Sequence, residues 1–282
     1  MATLITHNDF DGVTCAVLFK AVWPDGKVYF EDYKTINDRL WQVVRDNPKD
    51  TEIYITDICP ENNPELVNLL EGMDHLLLFD HHKTALPFDE YSFAHVKTGV
   101  CGAALFYEFL VFHYPKIMLS FEKLVWYAND YDLWKHESPL SKQINKLLYL
   151  YGRDRFIQRF LDSPDPKCWM PGEELLLELE QERQDRYIQE VIDTTPKIYF
   201  DEFGRYHKIA YAEQYTSELG HSMLKKHPEI DFVIIINLRN WTASLRSRPG
   251  GVDVSEIAKR KGGGGHLAAA GYTLPENFIA EL

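Results

Sequence analysis

Cysteine is scarce: four among 282 residues. Cys15, Cys59, Cys101 and Cys168 stand far apart with no paired spacing, which excludes a zinc knuckle or a disulfide framework. They read as small buried hydrophobes. Long apolar runs are missing too. None exceeds five residues, Phe232 to Ile236 being one, against the roughly 20 needed to cross a bilayer. No apolar region precedes the polar motif at His7, so no signal segment is read and the expected location is cytoplasmic. Basic charge is short as well: 30 Lys and Arg face 43 Asp and Glu, a net −13. Such a field repels extended polyanions and disfavours a general binder of long duplex nucleic acid. What is present is globular: 45% hydrophobic, 26% charged and 13% aromatic residues, in a length suited to one large or two medium domains.

The first ninety residues alternate short β-rich runs with helical stretches. Strands are expected at Thr3 to Thr6, Val28 to Tyr33, Glu52 to Thr56 and Leu76 to Phe79, and helices at Gly12 to Val22 and Ile36 to Arg45. A further helix is capped by Asn63 with Pro64 in its first turn. This order predicts a parallel α/β sheet covered on both faces. Val100 to about Tyr151 reads as mainly helical. Ser163-Pro164-Asp165-Pro166 breaks the chain, and Glu173 to Ile192 then forms one long polar helix, a domain connector. Beyond it the pattern predicts a hairpin around Phe203-Gly204, a helix near Ser217 to Lys225, and strands at Phe232 to Leu238 and Trp241 to Ser247. A helix capped by Asp253 and Glu256 follows, then the glycine run 262–265 and a short helix, Leu267 to Ala270.

Directly after the first strand, His7-Asn8-Asp9-Phe10-Asp11-Gly12 places an imidazole and two carboxylates on one tight loop. Asp57 follows the third strand and Asp80-His81-His82 the fourth. In a doubly wound sheet the carboxyl ends of the strands share one crevice, so three segments deliver ligands to one place. Alone, Asp57 is an ordinary turn former or helix cap, and Asp-His-His a surface loop. Three polar groups on one loop beside a buried strand repel one another without a cation. Carboxylates and imidazoles without thiolates favour Mn²⁺, with Mg²⁺ or Co²⁺ as alternatives and zinc disfavoured. The ligands exceed the needs of one ion, so two ions bridged by a carboxylate are expected, a design suited to phosphoryl chemistry.

These motifs, together with Gly263-Gly264-Gly265-His266 followed by Ala269-Ala270-Gly271, resemble the DHH phosphoesterases with a DHH-associated domain of the first type. The resemblance spans nearly the whole chain. The histidine two residues before the first aspartate is similar to the RecJ and oligoribonuclease NrnB branches, and Thr98 to Leu110, with Cys101-Gly102-Ala103-Ala104, looks like the NrnB branch. RecJ carries domains for which this chain is too short. The resemblance implies that His7 and Asp9 bind one metal, that Asp11, His81 and Asp130 bind the other, and that Asp57 bridges. His82 would sit beside the reacting phosphate, with Asp80 orienting the histidine pair. Where the family often reads Asp-Thr-Gly, this chain reads Asp130-Tyr131-Asp132. Trp134, four residues after Asp130, matches a frequent family aromatic and selects Asp130, with Asp132 the competitor.

In the C-terminal part, alternation along Trp241 to Ser247 sets Ala243 and Leu245 on one side and Ser244, Arg246 and Arg248 on the other. With the family match, Arg246, Gly264, Gly265 and His266 read as a phosphate or terminal-nucleotide clamp, His266 opening the short helix whose N-terminus favours negative charge. The Lys259-Arg260-Lys261 triplet divides evenly between a solvated helix end and a backbone-contact role. The expected organisation is a DHH metal-binding domain over 1–170, a connector helix over 171–195 and a mixed α+β substrate-binding domain over 196–282 that closes over the crevice. The function implied is two-metal hydrolysis of short single-stranded oligonucleotides to mononucleotides. Alternatives are a small nucleotide substrate, such as a linear or cyclic dinucleotide, and a non-catalytic nucleotide sensor. Self-association into a homo-oligomer stays open.

Overall fold

The computed structural model describes residues 2–46, 51–61 and 63–278. They fall into two compact units, one ending at Leu177 and the other beginning at Glu178. The first unit holds a five-stranded parallel sheet built from β1 (Ala2–Thr6), β2 (Lys27–Phe30), β3 (Glu52–Thr56), β4 (Leu76–Asp80) and β5 (Ala94–Val96), in the order β2-β1-β3-β4-β5. The helices between them are α1 (Phe10–Val22), α2 (Ile36–Asp46) and α3 (Pro64–Glu71). Asn63 caps α3 as its sequence predicts, accepting from the amides of Glu65 and Leu66. After the sheet come α4 (Gly102–His113), α5 (Pro115–Met118), α6 (Glu122–Asp132), α7 (Pro139–Tyr151) and α8 (Arg153–Asp162).

Strand alternation sorts the core into two layers. Leu4, Tyr54 and Phe79 face α1, α4, α6 and α8, whereas Ile5, Ile53, Ile55 and Leu78 face α2 and α3. Every residue of α1 from Phe10 to Phe19 is buried, because this helix packs against the sheet on one side and against α4, α6 and α8 on the others. An apolar run without a polar face is what such a position requires.

Strand β1 sits between β2 and β3, so the chain leaves it in one direction to form β2 and returns past it to form β3. Connections diverge at that switch point and open a crevice at the carboxyl ends of β1 and β3.

The second unit begins within the helix α9 (Glu173–Asp193). It contains β6 (Tyr199–Phe200), β7 (Tyr206–Tyr211), α10 (Thr216–Lys226), β8 (Phe232–Asn237), β9 (Thr242–Ser247), α11 (Val254–Lys259), β10 (Gly264–His266) and β11 (Ala269–Thr273). The sheet order is β10-β11-β9-β8-β7-β6, with β7 and β8 parallel through the α10 crossover and all other pairs antiparallel. The result is the mixed α+β architecture expected.

Three sequence expectations change. Leu267 to Ala270 is not a helix: Leu267 and Ala268 form a turn, and Ala269 and Ala270 begin β11, paired with Arg246 and Leu245 of β9. Sheet pairing overrides the helical preference of the alanines. Gly263 before it serves that pairing, since a Cβ there would lie 2.0 Å from the Gly271 carbonyl oxygen. The strand expected to reach Tyr33 ends at Phe30. Cys15, Cys59 and Cys101 are buried as expected, but Cys168 is exposed in the turn after Asp165-Pro166.

Candidate metal centre

The loop from β1 into α1 is closed by its own contacts. The Asp9 carboxylate accepts from the Gly12 amide at 3.0 Å and caps α1. Gly12 is obligatory, because a Cβ there would lie 2.1 Å from the His7 carbonyl oxygen. The loop brings His7 Nδ1 within 2.8 Å of Asp9 Oδ2 and 3.9 Å of Asp57 Oδ2. Asp57 adopts left-handed backbone geometry, φ 58°, at the end of β3. A residue with a Cβ takes that shape at a cost, which is common at functional sites.

Asp11, buried at the first turn of α1, accepts from the amides of Gly102 at 2.6 Å and Ala103 at 2.8 Å at the start of α4. Those amides are helix-terminal donors without intrahelical partners, and a carboxylate suits them. A Cβ on Gly102 would meet the Asp57 Cβ at 2.8 Å, so only glycine lets α4 close on both aspartates. His81 Nε2 then lies 3.2 Å from Asp57 Oδ1, 3.7 Å from Asp11 Oδ2 and 3.6 Å from Asp132 Oδ2. Asp80 Oδ1 accepts from the amides of His81 and His82 and pairs with His82 Nδ1 at 2.8 Å, so one buried carboxylate orients the His82 ring and anchors the backbone of both histidines. Tyr33 stands at the rim, its ring centroid 6.0 Å from that of His7 and 6.2 Å from that of His82.

Seven expected residues of the first unit, His7, Asp9, Asp11, Asp57, Asp80, His81 and His82, therefore meet in one place. Asp130 does not join them. Its carboxylate accepts from the amides of Glu137 and Ser138 and from the Ser141 hydroxyl, which ties the turn after α6 to the start of α7. Asp132, half a helical turn further on, carries its carboxylate to His81. The sequence spacing had two aspartates to choose between, and local hydrogen bonding separates them.

Three ligand triads lie close enough to hold a cation: His7, Asp9 and Asp57; Asp11, His81 and Asp132; and Asp57, His81 and His82. Electrostatics favour one. Burial and the facing charges of Asp11 and Asp9 push the carboxyls of Asp57 and Asp132 well above their ordinary range. Asp57 Oδ2 and Asp132 Oδ2 are buried and accept no hydrogen bond. Burial also opposes charge on Asp9, but the His7 hydrogen bond and charge outweigh it and hold Asp9 well below the carboxylate range. Burial lowers His81, which suits a neutral ligand imidazole, whereas on His82 it is outweighed by the Asp80 hydrogen bond, which raises it. A divalent cation relieves the repulsion and engages the orphaned oxygens, so the oxygen and imidazole set fits a hard or borderline ion. Cys101 offers no thiolate, since burial and Asp11 push its thiol well up.

The second-unit candidates share a sheet face. Arg246 pairs with Ala269 and Ala269 with His266 in adjacent ladders, so the two side chains point the same way about 10 Å apart, two strand spacings. Arg246 donates to Ser217 Oγ at 3.0 Å and lies against Gly220 of α10, where a Cβ would sit 2.6 Å from its Cγ. Gly264 and Gly265 belong to the edge strand β10. His266 ends this strand rather than opening a helix, so no helix N-terminus contributes there. Arg248 is engaged with the carbonyls of Leu224, His227 and Ile230. Sequence reasoning gave no role to the Gly102 and Ala103 amides or to Gly220. The small residues at the start of a helix that follows the Asp-His-His strand were the available signal for the first pair.

No family model matches the chain. Oligoribonuclease NrnB of Bacillus subtilis is 30% identical, the match covering 100% of this chain and 76% of that protein. Among solved structures, RecJ of Thermus thermophilus with Mn²⁺ aligns with a TM-score of 0.61 at 15% identity over 99% of this chain and 50% of its own. The pGpG-specific phosphodiesterase PggH of Vibrio cholerae aligns with a TM-score of 0.56 at 15% identity over 100% of this chain and 96% of its own. No helix among the described residues is long and apolar enough to cross a membrane. The sequence match to NrnB together with the buried aspartate and histidine cluster places this chain in the DHH family of metal-dependent phosphoesterases.

Proposed function

We propose that the chain is a two-metal phosphodiesterase that hydrolyses short oligonucleotides to mononucleotides. The observation that carries this reading is Asp57, whose Oδ1 faces His81 and whose Oδ2 faces His7. One carboxylate turned toward two ligand sets would suit a bridging ligand. His7 and Asp9 would hold one ion and Asp11, His81 and Asp132 the other, with manganese favoured by the imidazoles. When bound, such ions lower the pKa of water and offset charge on a phosphoryl group in in-line displacement.

The chain's own groups supply the rest. The Asp80 carboxylate orients His82 and raises its pKa, which favours the protonated, donating form, so that His82 would meet the reacting phosphate as a hydrogen-bond donor. Asp11, anchored by the α4 amides, and Asp57, seated on Gly102, keep their carboxylates in place and need no reorganisation. Arg246, Gly264, Gly265 and His266 would take substrate phosphate or the terminal nucleotide, donors suited to an anion on one sheet face. Two divalent ions change the net charge from −13 to −9, still negative enough to disfavour long polyanions. Kinship with the oligoribonuclease NrnB supports the oligonucleotide class.

Incubation of the chain with labelled two- to five-residue oligonucleotides, linear pGpG and a structured RNA, with Mn²⁺ and with chelator, tests the reading. Mononucleotide release from the short oligomers, dependent on the ion, is expected. A preference for the structured RNA, or turnover of pGpG alone, overturns it.

A further inference from the structure

Two arginines of the first unit stack on neighbouring aromatics of β2, and their polar contacts differ. Arg39 lies 4.5 Å from the Tyr29 ring centroid and pairs with Glu31. Arg153, the first residue of α8, lies 4.6 Å from the Phe30 ring centroid, and its Nη1 donates to Asn8 Oδ1 at 3.1 Å. Asn8 stands between His7 and Asp9, so this guanidinium is at the mouth of the metal cluster. In a chain with thirteen more acidic than basic side chains, Arg153 makes no ion pair among the described residues. It is exposed, its guanidinium lies over the Phe30 ring, and one of its five N–H donors is taken by Asn8. A planar donor fork anchored over a ring and left open matches phosphate geometry.

Resting on the oligonucleotide reading above, we propose that Arg153 binds the phosphate next to the scissile one and so selects substrates that carry it. The group is a specificity residue of the metal-bearing unit itself. Phe30 limits its rotation, so less freedom is lost when the phosphate arrives. A purely structural role, bracing the His7 to Asp9 loop through Asn8, makes different predictions: weaker metal binding and an equal loss on every substrate.

The test compares the parent with Arg153→Ala and Arg153→Lys on three dinucleotides: unphosphorylated, 5′-phosphorylated and 3′-phosphorylated. Calorimetric Mn²⁺ titration and a KM and kcat split are read on each. The expected result is unchanged Mn²⁺ affinity and a KM about ten- to hundredfold higher for one of the two phosphorylated forms in Arg153→Ala. Arg153→Lys, which keeps charge but not the fork, should recover part of that loss. Equal losses on all three substrates, or lost metal affinity, overturn the proposal. If the parent cleaves the dinucleotides and Arg153→Ala matches it, this proposal falls while the oligonucleotide reading stands. If the parent neither cleaves nor binds them, both fall.

Discussion

The two units handle polar groups in opposite ways. In the first, carboxylates and imidazoles are packed together at the end of a buried sheet, and oxygens of Asp57 and Asp132 accept no hydrogen bond. In the second, Arg246 is half-buried and already hydrogen-bonded to Ser217 and the Leu245 carbonyl, and His266 is exposed on an edge strand. Packing positions the first set and leaves a conflict that a cation would relieve. In the second set Arg246 is hydrogen-bonded at rest and would have to exchange partners to take an anion. Loss of a group should therefore be far more costly in the first unit.

The strongest challenge to this contrast is Asp57→Ala. It should lower kcat by about three orders of magnitude or more, because both ligand sets lose their shared oxygen pair. Hydrolysis of a dinucleotide within tenfold of the parent would remove Asp57 from the bridging position.

The two aspartates of α6 sharpen the contrast inside one helix. Asp132→Ala should weaken Mn²⁺ binding by more than the roughly 10–100-fold typical of an outer-shell change. Asp130→Ala should leave metal affinity alone and cost about 1–3 kcal/mol of stability, since it strips acceptors from the Glu137 and Ser138 amides. Paired calorimetric and thermal measurements separate them, and the reverse pattern would restore Asp130 as the ligand.

Arg246→Ala comes next. It should raise KM about ten- to hundredfold with Mn²⁺ affinity intact, as expected when a charge-assisted hydrogen bond to phosphate is removed from a partly enclosed site. Impaired metal binding in this variant would contradict the division between the units.

A smaller effect is the pH dependence of the ion-free chain. The carboxyl pKa values of Asp57 and Asp132 are raised in the folded state, so above about pH 4, where an unfolded aspartate releases its proton, folding must retain protons. This contribution is fully present below that value and is lost as pH rises through the folded-state pKa values. The melting temperature of the chelated chain should fall relative to that of the Mn²⁺-loaded chain between pH 5 and 8, the conditions to be scanned, because metal binding displaces those protons. A metal-induced gain that is flat with pH would show that the cluster is ionised without a cation.

The smallest predicted effects lie in the glycine strand. Gly264→Ala, with no atom near its Cβ position, should change stability by less than about 0.5 kcal/mol. Gly265→Ala, at φ +135° and 2.6 Å from the Ala270 Cα, should cost about 1–3 kcal/mol. Equal melting temperatures would mean that β10 yields without resistance.

Much of the first unit was legible because chain order and side-chain chemistry agreed. The β and α periods predicted the parallel sheet, and a parallel sheet sends residues after β1, β3 and β4 to one edge. The short strand β5 left too brief a pattern to read, with three residues. The sequence favoured Asp130 over its competitor Asp132 because both suit the spacing, and only the amides of residues 137 and 138 and the Ser141 hydroxyl, which need an acceptor, draw Asp130 elsewhere. The alanines after His266 misled for a related reason: their intrinsic preference is helical, but their partners are Arg246 and Leu245, distant in sequence. Local pattern carries least information where a long-range ladder decides the outcome.

The contact between Gly12 and the His7 carbonyl makes the loop from His7 to Gly12 a closed ring rather than an open span. Its circumference is fixed by that contact, by the Thr6 hydroxyl on the Gly12 carbonyl and by the Asp9 cap. Loop length here acts as a gauge that sets which atoms reach the crevice. A one-residue insertion between His7 and Gly12 should pull the Asp9 cap off α1 and shift His7 and Asp9 relative to Asp57.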